Sequence, residues 1–187
     1  MNETILKPLK GRLLVSVPFL NDLFFGRSVV LLTEHNQLGS AGLILNKPLD
    51  TKISSAVKNF PEFDSKLFLG GPVENSALFY LHTAADRIPN SSKIFKDLYW
   101  GGDYEVLKSI IHDKKISPEE IKFFVGYSGW APKQLNMELK HNSWVIAATT
   151  VKNIMAKNHK RIWEEKIKVS SKEYAVWSRF PVNPSLN

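Results

Sequence analysis

Two apolar runs on either side of a short polar turn dominate the N-terminal third of the chain. The runs are "SVVLLTE" (28–34) and "AGLILN" (41–46). Both are almost continuously apolar rather than alternating, which is typical of strands buried on both faces. Asn36 suits the first position of a type I turn, and Gly39 suits the left-handed residue that closes a hairpin. The pattern therefore predicts a central β-hairpin.

The register of this hairpin separates two polar pairs. With the turn centred near residues 37 and 38, Asn46 pairs near residues 28–30 and lies beside Arg27. Glu34 and His35 then lie at the opposite end, roughly 20 Å from Arg27 at about 3.3 Å per residue. We expect two separate clusters.

Further apolar runs predict strands at residues 12–17, 66–73, 77–83 and 143–149. The strand at 66–73 enters a glycine-rich turn, from which the strand at 77–83 returns. Residues 117–130 begin with a helix-start signal and continue with β-branched and aromatic residues, so we predict one helical turn and then a strand. Residues 92–102 have a mixed pattern.

Helical spacing appears in the remaining segments. Thr51 can cap a helix that ends at Pro61, with apolar positions at Ile53, Ala56, Val57 and Phe60. Asp103 caps a second helix, which carries Leu107, Ile110 and Ile111. Pro132 starts a third, and helices are predicted at 150–168 and 171–178 before Pro181 and Pro184 end the structure. Together these elements predict an α/β (α+β) fold with a mixed sheet, in one domain over residues 1–187.

Composition narrows the class of protein. The chain has 187 residues, of which 43% are hydrophobic and 23% charged, as in globular domains. It has no cysteine, which excludes disulfides and thiolate sites and favours a cytoplasmic location. "KGRLLVSVPFLNDLFF" is broken by Pro18, so we interpret it as a strand and a turn rather than a leader. No apolar run approaches the ~18 residues of a membrane span.

The net charge of +7 is uneven. Residues 151–187 carry eight basic and three acidic side chains, the largest excess in the chain. Such an end can attract nucleic acid, although a solvated helix face is the simpler interpretation.

Glu34 and His35 are the first candidates for chemistry. Neighbours on a strand point to opposite faces, so this pair alone cannot act on one substrate atom. Gly70, Gly71 and Pro72 follow a strand directly and could form an anion-binding nest or a tight turn. Glu74 and His82 lie near that turn.

Other kinds of site find little support. A metal site drawn from His35, Glu74 and His82 would need ligands far apart in sequence, and no zinc-binding spacing occurs, so we expect no metal and no cofactor. "GYSGW" lacks the spacing of a nucleophile elbow. "DYEVLKSIIHDKKISPEEIKFF" has no room for a recognition helix, so DNA binding lacks a motif.

Several blocks together resemble the YqgE/AlgH family. They are "GRLLVSVPFLNDLFFGRSVVLLTEHNQLGSAGLILNKP", "FLGGPV", "FYLH", "GYSGWAPKQLNMELKHNSW" and a tryptophan-containing end, in family order over nearly the whole chain. Lys133 stands where the family commonly has glycine. The resemblance implies a largely antiparallel sheet curled into a partial barrel with flanking helices, and a bacterial cytoplasmic protein.

The resemblance does not imply a settled activity, and members are often labelled transcriptional regulators. Its polar signature positions are Asp22, Arg27, Glu34, His35, Asn46, His82, Gln134 and Glu138. Such groups must be paired or functional when buried. As candidate ligand-binding residues we take Arg27, Asn46, Gly70, Gly71 and Trp130.

Three functional hypotheses follow. The first is a binding or regulatory module that recognises a small molecule or a protein. The second is a hydrolytic or acid–base enzyme that uses His35, His82 and Glu34 or Glu74 near the glycine turn. The third is a DNA-binding regulator, and none of the three involves a membrane.

Overall fold

The computed structural model describes residues 6–157, 159, 161–170 and 172–178. Within them the chain forms ten strands and six helices. The strands are β1 (Leu13–Ser16), β2 (Val29–Asn36), β3 (Gly39–Ile44), β4 (Pro48–Lys52), β5 (Lys66–Leu69), β6 (Val73–His82), β7 (Ser92–Phe95), β8 (Leu98–Trp100), β9 (Ile121–Trp130) and β10 (Trp144–Ala147). The helices are α1 (Ile53–Ala56), α2 (Tyr104–His112), α3 (Gln134–Lys140), α4 (Val151–Met155), α5 (Ile162–Ser170) and α6 (Lys172–Trp177).

The strands form one mixed sheet around β9. Eight of them follow the order β10-β1-β2-β3-β9-β6-β8-β7, while β5 lies beside β9 and β4 beside β5. The β5–β9 ladder is parallel, and the other ladders between described strands are antiparallel. The predicted fold class is therefore confirmed, although the sheet does not close into a barrel. No described helix is both long and apolar enough to cross a membrane.

The predicted hairpin is present in β2 and β3. Asn36 pairs with Gly39, which leaves two residues in the turn. The first five residues of β2 are buried, as expected for a strand covered on both faces. At the far end, the Asn46 side chain accepts the Val29 N–H at 2.8 Å and donates to the Arg27 carbonyl at 2.9 Å. Arg27 and Glu34 thus lie at opposite ends, as the register predicts.

The predicted helix after Thr51 is largely wrong. Thr51 lies in β4, which the apolar pattern did not reveal, and the helix is reduced to the four residues of α1. The N–H of Ile53 bonds the Ser65 carbonyl at 3.1 Å, so pairing with the following segment competes with a longer helix. Ile53 and Phe60 are nevertheless buried in the same core cluster.

The strands before and after Gly70-Gly71 do not pair with each other. β5 and β6 both exist, but β9 lies between them, with β5 on one edge and β6 on the other. The glycine segment therefore crosses an intervening strand, whereas sequence alone suggested a simple return. Residues 92–102, mixed in pattern, form the β7–β8 hairpin.

The C-terminal part is divided differently from the prediction. The single helix expected at 150–168 is split into α4 and α5, while α6 falls within the predicted 171–178. Pro181 and Pro184 lie outside the described residues. α5 packs on the sheet, because the Trp163 indole donates to the Ser16 carbonyl at 2.8 Å and lies 5.0 Å from the Arg27 guanidinium.

Other predicted elements are confirmed. Asp103 caps α2 by accepting the N–H groups of Glu105 and Val106. Before β9, the Glu120 carboxylate reaches back to the Ser117 N–H at 2.9 Å, which is the predicted start signal. α3 carries Leu135 into a core cluster.

The crossing of β9 depends on close backbone approach. A Cβ on Gly70 would lie 2.1 Å from the Gly126 carbonyl oxygen, and one on Gly71 would lie 2.3 Å from the Tyr127 carbonyl. Gly126, with φ +68°, would meet the Gly71 oxygen at 2.5 Å. Backbone faces backbone on both sides, so no flexible side chain can move to admit a methyl group.

We predict that Gly70→Ala lowers the free energy of unfolding by about 3 kcal/mol or more, because the added methyl has no space. Gly101→Ala is the matched control. Gly101 has φ +64° but nothing within 4 Å of its would-be Cβ, so strain alone costs about 1 kcal/mol. Urea denaturation of both variants measures the difference, and equal losses would contradict the steric account.

Candidate functional site

Arg27 and Asn46 form a structural cluster. The Asn46 amide satisfies backbone groups on both sides of the start of β2. The Arg27 guanidinium lies over the Trp163 ring, an arrangement in which the cation faces the negative ring surface. The structure thus brings these two candidates together: Asn46 ties the end of the hairpin to the start of β2, and Arg27 contacts α5.

His82 lies in the interior and is fully bonded. Its Nε2 lies 3.0 Å from both the Gly101 carbonyl oxygen and the Ser91 hydroxyl, and its Nδ1 accepts the Ala84 N–H at 3.2 Å. These partners fix a neutral ring with the proton on Nε2. Burial lowers the pKa of His82, although the bond to Gly101 opposes this shift.

His35 is far from His82. Its Nδ1 lies 2.7 Å from the Ser40 hydroxyl across the hairpin, and Ser40 pairs with Trp130 at the end of β9. His82 pairs with Ile121, at the start of the same ten-residue strand. Nine residues of strand correspond to roughly 30 Å. The enzyme hypothesis joined these two imidazoles, and the structure does not bring them together.

Trp130 belongs to a network centred on Glu138. The indole N–H groups of Trp130 and Trp144 donate to one Glu138 oxygen at 2.9 and 2.7 Å, and the Gln134 amide donates to the other at 2.9 Å. Phe25 packs against both indole rings. Trp130, Gln134 and Glu138 therefore hold α3 against the sheet.

Gly70 uses its backbone groups within the fold. Its N–H donates to the Val125 carbonyl at 2.8 Å, and its own carbonyl accepts from the Ile44 N–H and the Ser128 hydroxyl. The N–H that an anion-binding nest would need is thus already bonded. With the close approach of Gly71 to β9, this favours the tight-turn interpretation.

A cavity of about 280 Å³ lies on one face of the sheet, and its walls come from five neighbouring strands, β2, β3, β9, β6 and β8. We call it the acidic cavity; it is lined by Thr33, Glu34, Ala41, Leu43, Glu74, Phe79, Trp100 and Tyr127. Leucine and aromatic side chains from the main core form its apolar part. Among the described residues that line it, two are carboxylates and none is basic.

A β-bulge brings Glu34 to the acidic cavity. Leu32 pairs with Gly42 and Glu34 with Ala41, so Thr33 is an extra residue on β2. Such a residue interrupts the regular alternation of side chains, and both Thr33 and Glu34 line the cavity. The sequence interpretation assumed a regular strand and could not place Glu34 here.

Glu74 reaches the cavity from an irregular part of β6. Between Val73, opposite Tyr127, and Leu78, opposite Val125, the ladder is interrupted. Glu74 has φ +47°, a left-handed conformation that costs a non-glycine residue about 1 kcal/mol or more. Strain of this kind inside a strand is commonly retained at functional sites.

The Trp100 indole N–H has no partner. Its Nε1 is excluded from solvent. Among the described residues, it is the one buried side-chain nitrogen or oxygen that has no hydrogen-bond partner. Trp100 lines the acidic cavity and also a neighbouring cavity of about 650 Å³. An unpaired buried donor is costly to the folded state, and it is the Trp100 side chain as a whole that lines the two cavities.

Sequence reasoning named Glu34 and Glu74 but missed Thr33, Trp100 and Tyr127. Trp100 directly precedes Gly101 and Gly102, which was the only local signal at that position. The cavity also depends on strand order and on two ladder irregularities, which no local pattern encodes. No three described His, Asp or Glu side chains are grouped to hold a metal ion.

Comparisons with known proteins agree over most of the chain. A family model described as AlgH-like matches residues 13–175. Proteins named UPF0301 protein are similar in sequence: that of Parabacteroides distasonis is 41% identical over 96% of this chain and 92% of its own, and that of Cytophaga hutchinsonii 42% identical over 95% and 98%.

Two solved structures share the fold. The solution structure of the AlgH protein from Pseudomonas aeruginosa has a TM-score of 0.71, with 22% identity over 97% of this chain and 99% of its own. Protein DIP2367 from Corynebacterium diphtheriae has a TM-score of 0.76, with 21% identity over 95% of each chain.

We predict that His82 makes stability fall in mild acid. Because the folded-state pKa of His82 lies below its ordinary 6.5, the unfolded chain takes up the proton first. The contribution is complete above pH 6.5 and is lost as the pH falls toward the folded value. Urea denaturation at pH 7.5 and 5.0 should show a smaller loss of unfolding free energy in His82→Gln than in the wild type.

His141→Gln is the control for this measurement, because His141 is exposed and faces water in both states. Between pH 7.5 and 5.0, His141→Gln should lose as much free energy of unfolding as the wild type does. An unchanged loss in His82→Gln would contradict the account of a neutral, buried imidazole.

Proposed function

This chain belongs to the AlgH-like family, and we propose that it is a small-molecule-binding regulatory module whose acidic cavity takes up an organic cation. The observation that carries the proposal is a largely apolar and aromatic cavity whose described lining includes two carboxylates and no basic side chain. Pockets with a mostly apolar lining and a few convergent polar groups are the usual form of small-molecule sites.

The charge of the cavity selects the class of ligand. Glu34 and Glu74 are exposed at the cavity, while the chain as a whole carries +7. A local pair of carboxylates in a basic protein attracts cations and repels anions. Phe79, Trp100 and Tyr127 add aromatic surface, which suits an apolar group and can face a cation.

The two carboxylates and the aromatic rings of the lining together define the ligand. The proposed ligand is therefore an organic amine with an apolar or aromatic body. The left-handed Glu74 and the bulge at Thr33 support the assignment, because both irregularities direct side chains to this cavity.

We propose a regulatory role in which the chain does not itself recognise a DNA sequence. The segment considered as a helix-turn-helix contains α2 but continues into β9, so its second part is a strand. We place this ligand-responsive module in the cytoplasm, which the absence of cysteine favours.

The experiment compares two probes of similar shape and opposite charge, 2-phenylethylamine and 3-phenylpropionate. The protein is labelled with 5-fluorotryptophan, and fluorine NMR follows its five tryptophans, with the Trp100 signal assigned from Trp100→Phe. We predict that the amine shifts the Trp100 signal saturably and that the carboxylate does not. Each of Glu34→Gln and Glu74→Gln should weaken amine binding by up to about fivefold, as expected for exposed charge pairs.

Glu105→Gln is the matched control, because Glu105 is an exposed carboxylate on α2 that does not line the cavity. It should leave amine affinity unchanged. Equal binding of both probes, or equal affinity in Glu34→Gln, Glu74→Gln and Glu105→Gln, would overturn the proposal.

A further inference from the structure

A second cavity, of about 430 Å³, lies near the other end of β9. We call it the basic cavity; its lining comprises Pro48, Lys52, Asp64, Ser65, Lys66, Phe68, Pro118, Ile121, Lys122, Met155, Lys157 and His159. It shares no lining residue with the acidic cavity. Four lysines and one aspartate face it, so its charge is opposite to that of the first site.

Lys122 is the central residue of the basic cavity. Its side chain extends from β9, and the residue is only 6% exposed. The ammonium donates to the Ala156 carbonyl at 2.9 Å and to His159 Nε2 at 2.6 Å, and it lies 5.2 Å from the Phe68 ring centre. All three contacts are neutral groups.

The buried ammonium has no carboxylate partner. Among the described residues, no Asp or Glu oxygen lies within 4.0 Å of Lys122 Nζ. A buried charge is costly without a counter-charge, because carbonyl and imidazole groups replace only part of its hydration. Burial accordingly lowers the pKa of Lys122 to about 8.

His159 is suited to remain neutral beside this cation. Burial and the charge of Lys122 lower the pKa of His159 to about 4, so its Nε2 is an acceptor at neutral pH. The imidazole therefore solvates the ammonium and does not compete with it for an anion.

The other lysines are partly neutralised. Lys52 pairs with Asp64 at 2.7 Å. Lys157 pairs with Glu119 at 2.6 Å. Lys66 is exposed and makes no ion pair with a described carboxylate. Lys66 and Lys122 are thus the two lysines of this cavity whose charge is not matched within the described part of the chain.

We propose that the basic cavity binds a small molecule through an oxyanion, a phosphate or a carboxylate, that takes its place beside Lys122 and within reach of Lys66. The bound oxyanion supplies the counter-charge that the buried ammonium lacks. Phosphate and carboxylate share the chemistry that lysine recognises, so the source of the oxyanion is decided by the experiment. Because the lining differs from that of the acidic cavity, this proposal stands apart from the proposed function.

The test uses the full chain with carbon-13-labelled lysine. NMR of the lysine Cε groups follows each amine through a pH titration, and the Lys122 signal is the one lost in Lys122→Met. Inorganic phosphate and acetate are the two probes, and sodium chloride at equal ionic strength controls for screening. We expect a saturable shift of the Lys122 signal and a rise of about one unit in its apparent pKa, because the anion stabilises the charged amine.

Lys122→Met, followed through the Lys66 signal, should bind the probe at least about tenfold more weakly. It should remain folded, because replacing a buried charge by an apolar side chain is often neutral or stabilising. Lys66→Met should weaken binding by about threefold. Lys108→Met, on α2 and away from the cavity, is the matched control and should bind as the wild type does.

The outcomes distinguish a phosphoryl ligand from a carboxylate ligand, and both of these from failure of the proposal. Tighter binding of phosphate supports a phosphoryl ligand, and tighter binding of acetate supports a carboxylate ligand. A response equal to that of chloride for both probes overturns the proposal. Unchanged affinity in both Lys122→Met and Lys66→Met also overturns it, even if the wild type binds phosphate elsewhere.

Discussion

The fold depends on one steric constraint, which is the passage of Gly70-Gly71 across β9 at backbone contact. β9 pairs with β5 along Phe123–Val125 and with β3 along Ser128–Trp130, so the change of partner occurs beside Gly126. Side chains at the glycine positions would fill this space with atoms closer than van der Waals contact. β9 also pairs with β6. The crossing at Gly70-Gly71 therefore helps to fix the register of β3, β5 and β6 against β9.

Both proposed sites follow from the position of β9. In the sheet, β2 and β3 lie on one side of β9 and β6 and β8 on the other, which is why residues from five strands share one space. The basic cavity lies near the opposite end of β9, at Ile121 and Lys122. The acidic cavity and the basic cavity thus lie about one strand length apart. At that separation, exposed charges are largely screened at physiological ionic strength, so each cavity can select its own ligand.

The elements that sequence predicted well are those set by local chemistry. The β2–β3 hairpin follows from two apolar runs and a turn, and α2 follows from its Asp103 cap. Elements fixed by distant partners were missed: β4 is polar and exposed along most of its length, and only its pairing with β5 makes it a strand.

The acidic residues of the site could be predicted from the sequence, but their arrangement could not. Glu34 and Glu74 stood out as charged residues near turns, but their meeting depends on a bulge and on a left-handed residue. The Trp100 donor became visible only once its surroundings were known. The sequence also could not show that the His82 imidazole is bonded to Gly101 and Ser91 in the interior.

The bond from the Trp163 indole to the Ser16 carbonyl joins positions 147 residues apart. β1 also needs β10 on its outer edge, and β10 ends at Ala147. During synthesis on a ribosome, the first strand therefore emerges long before its last partners exist. The N-terminal edge stays open to chaperones or to neighbouring nascent chains until most of the protein has been translated, and translation speed through the later part of the message sets how long that exposure lasts.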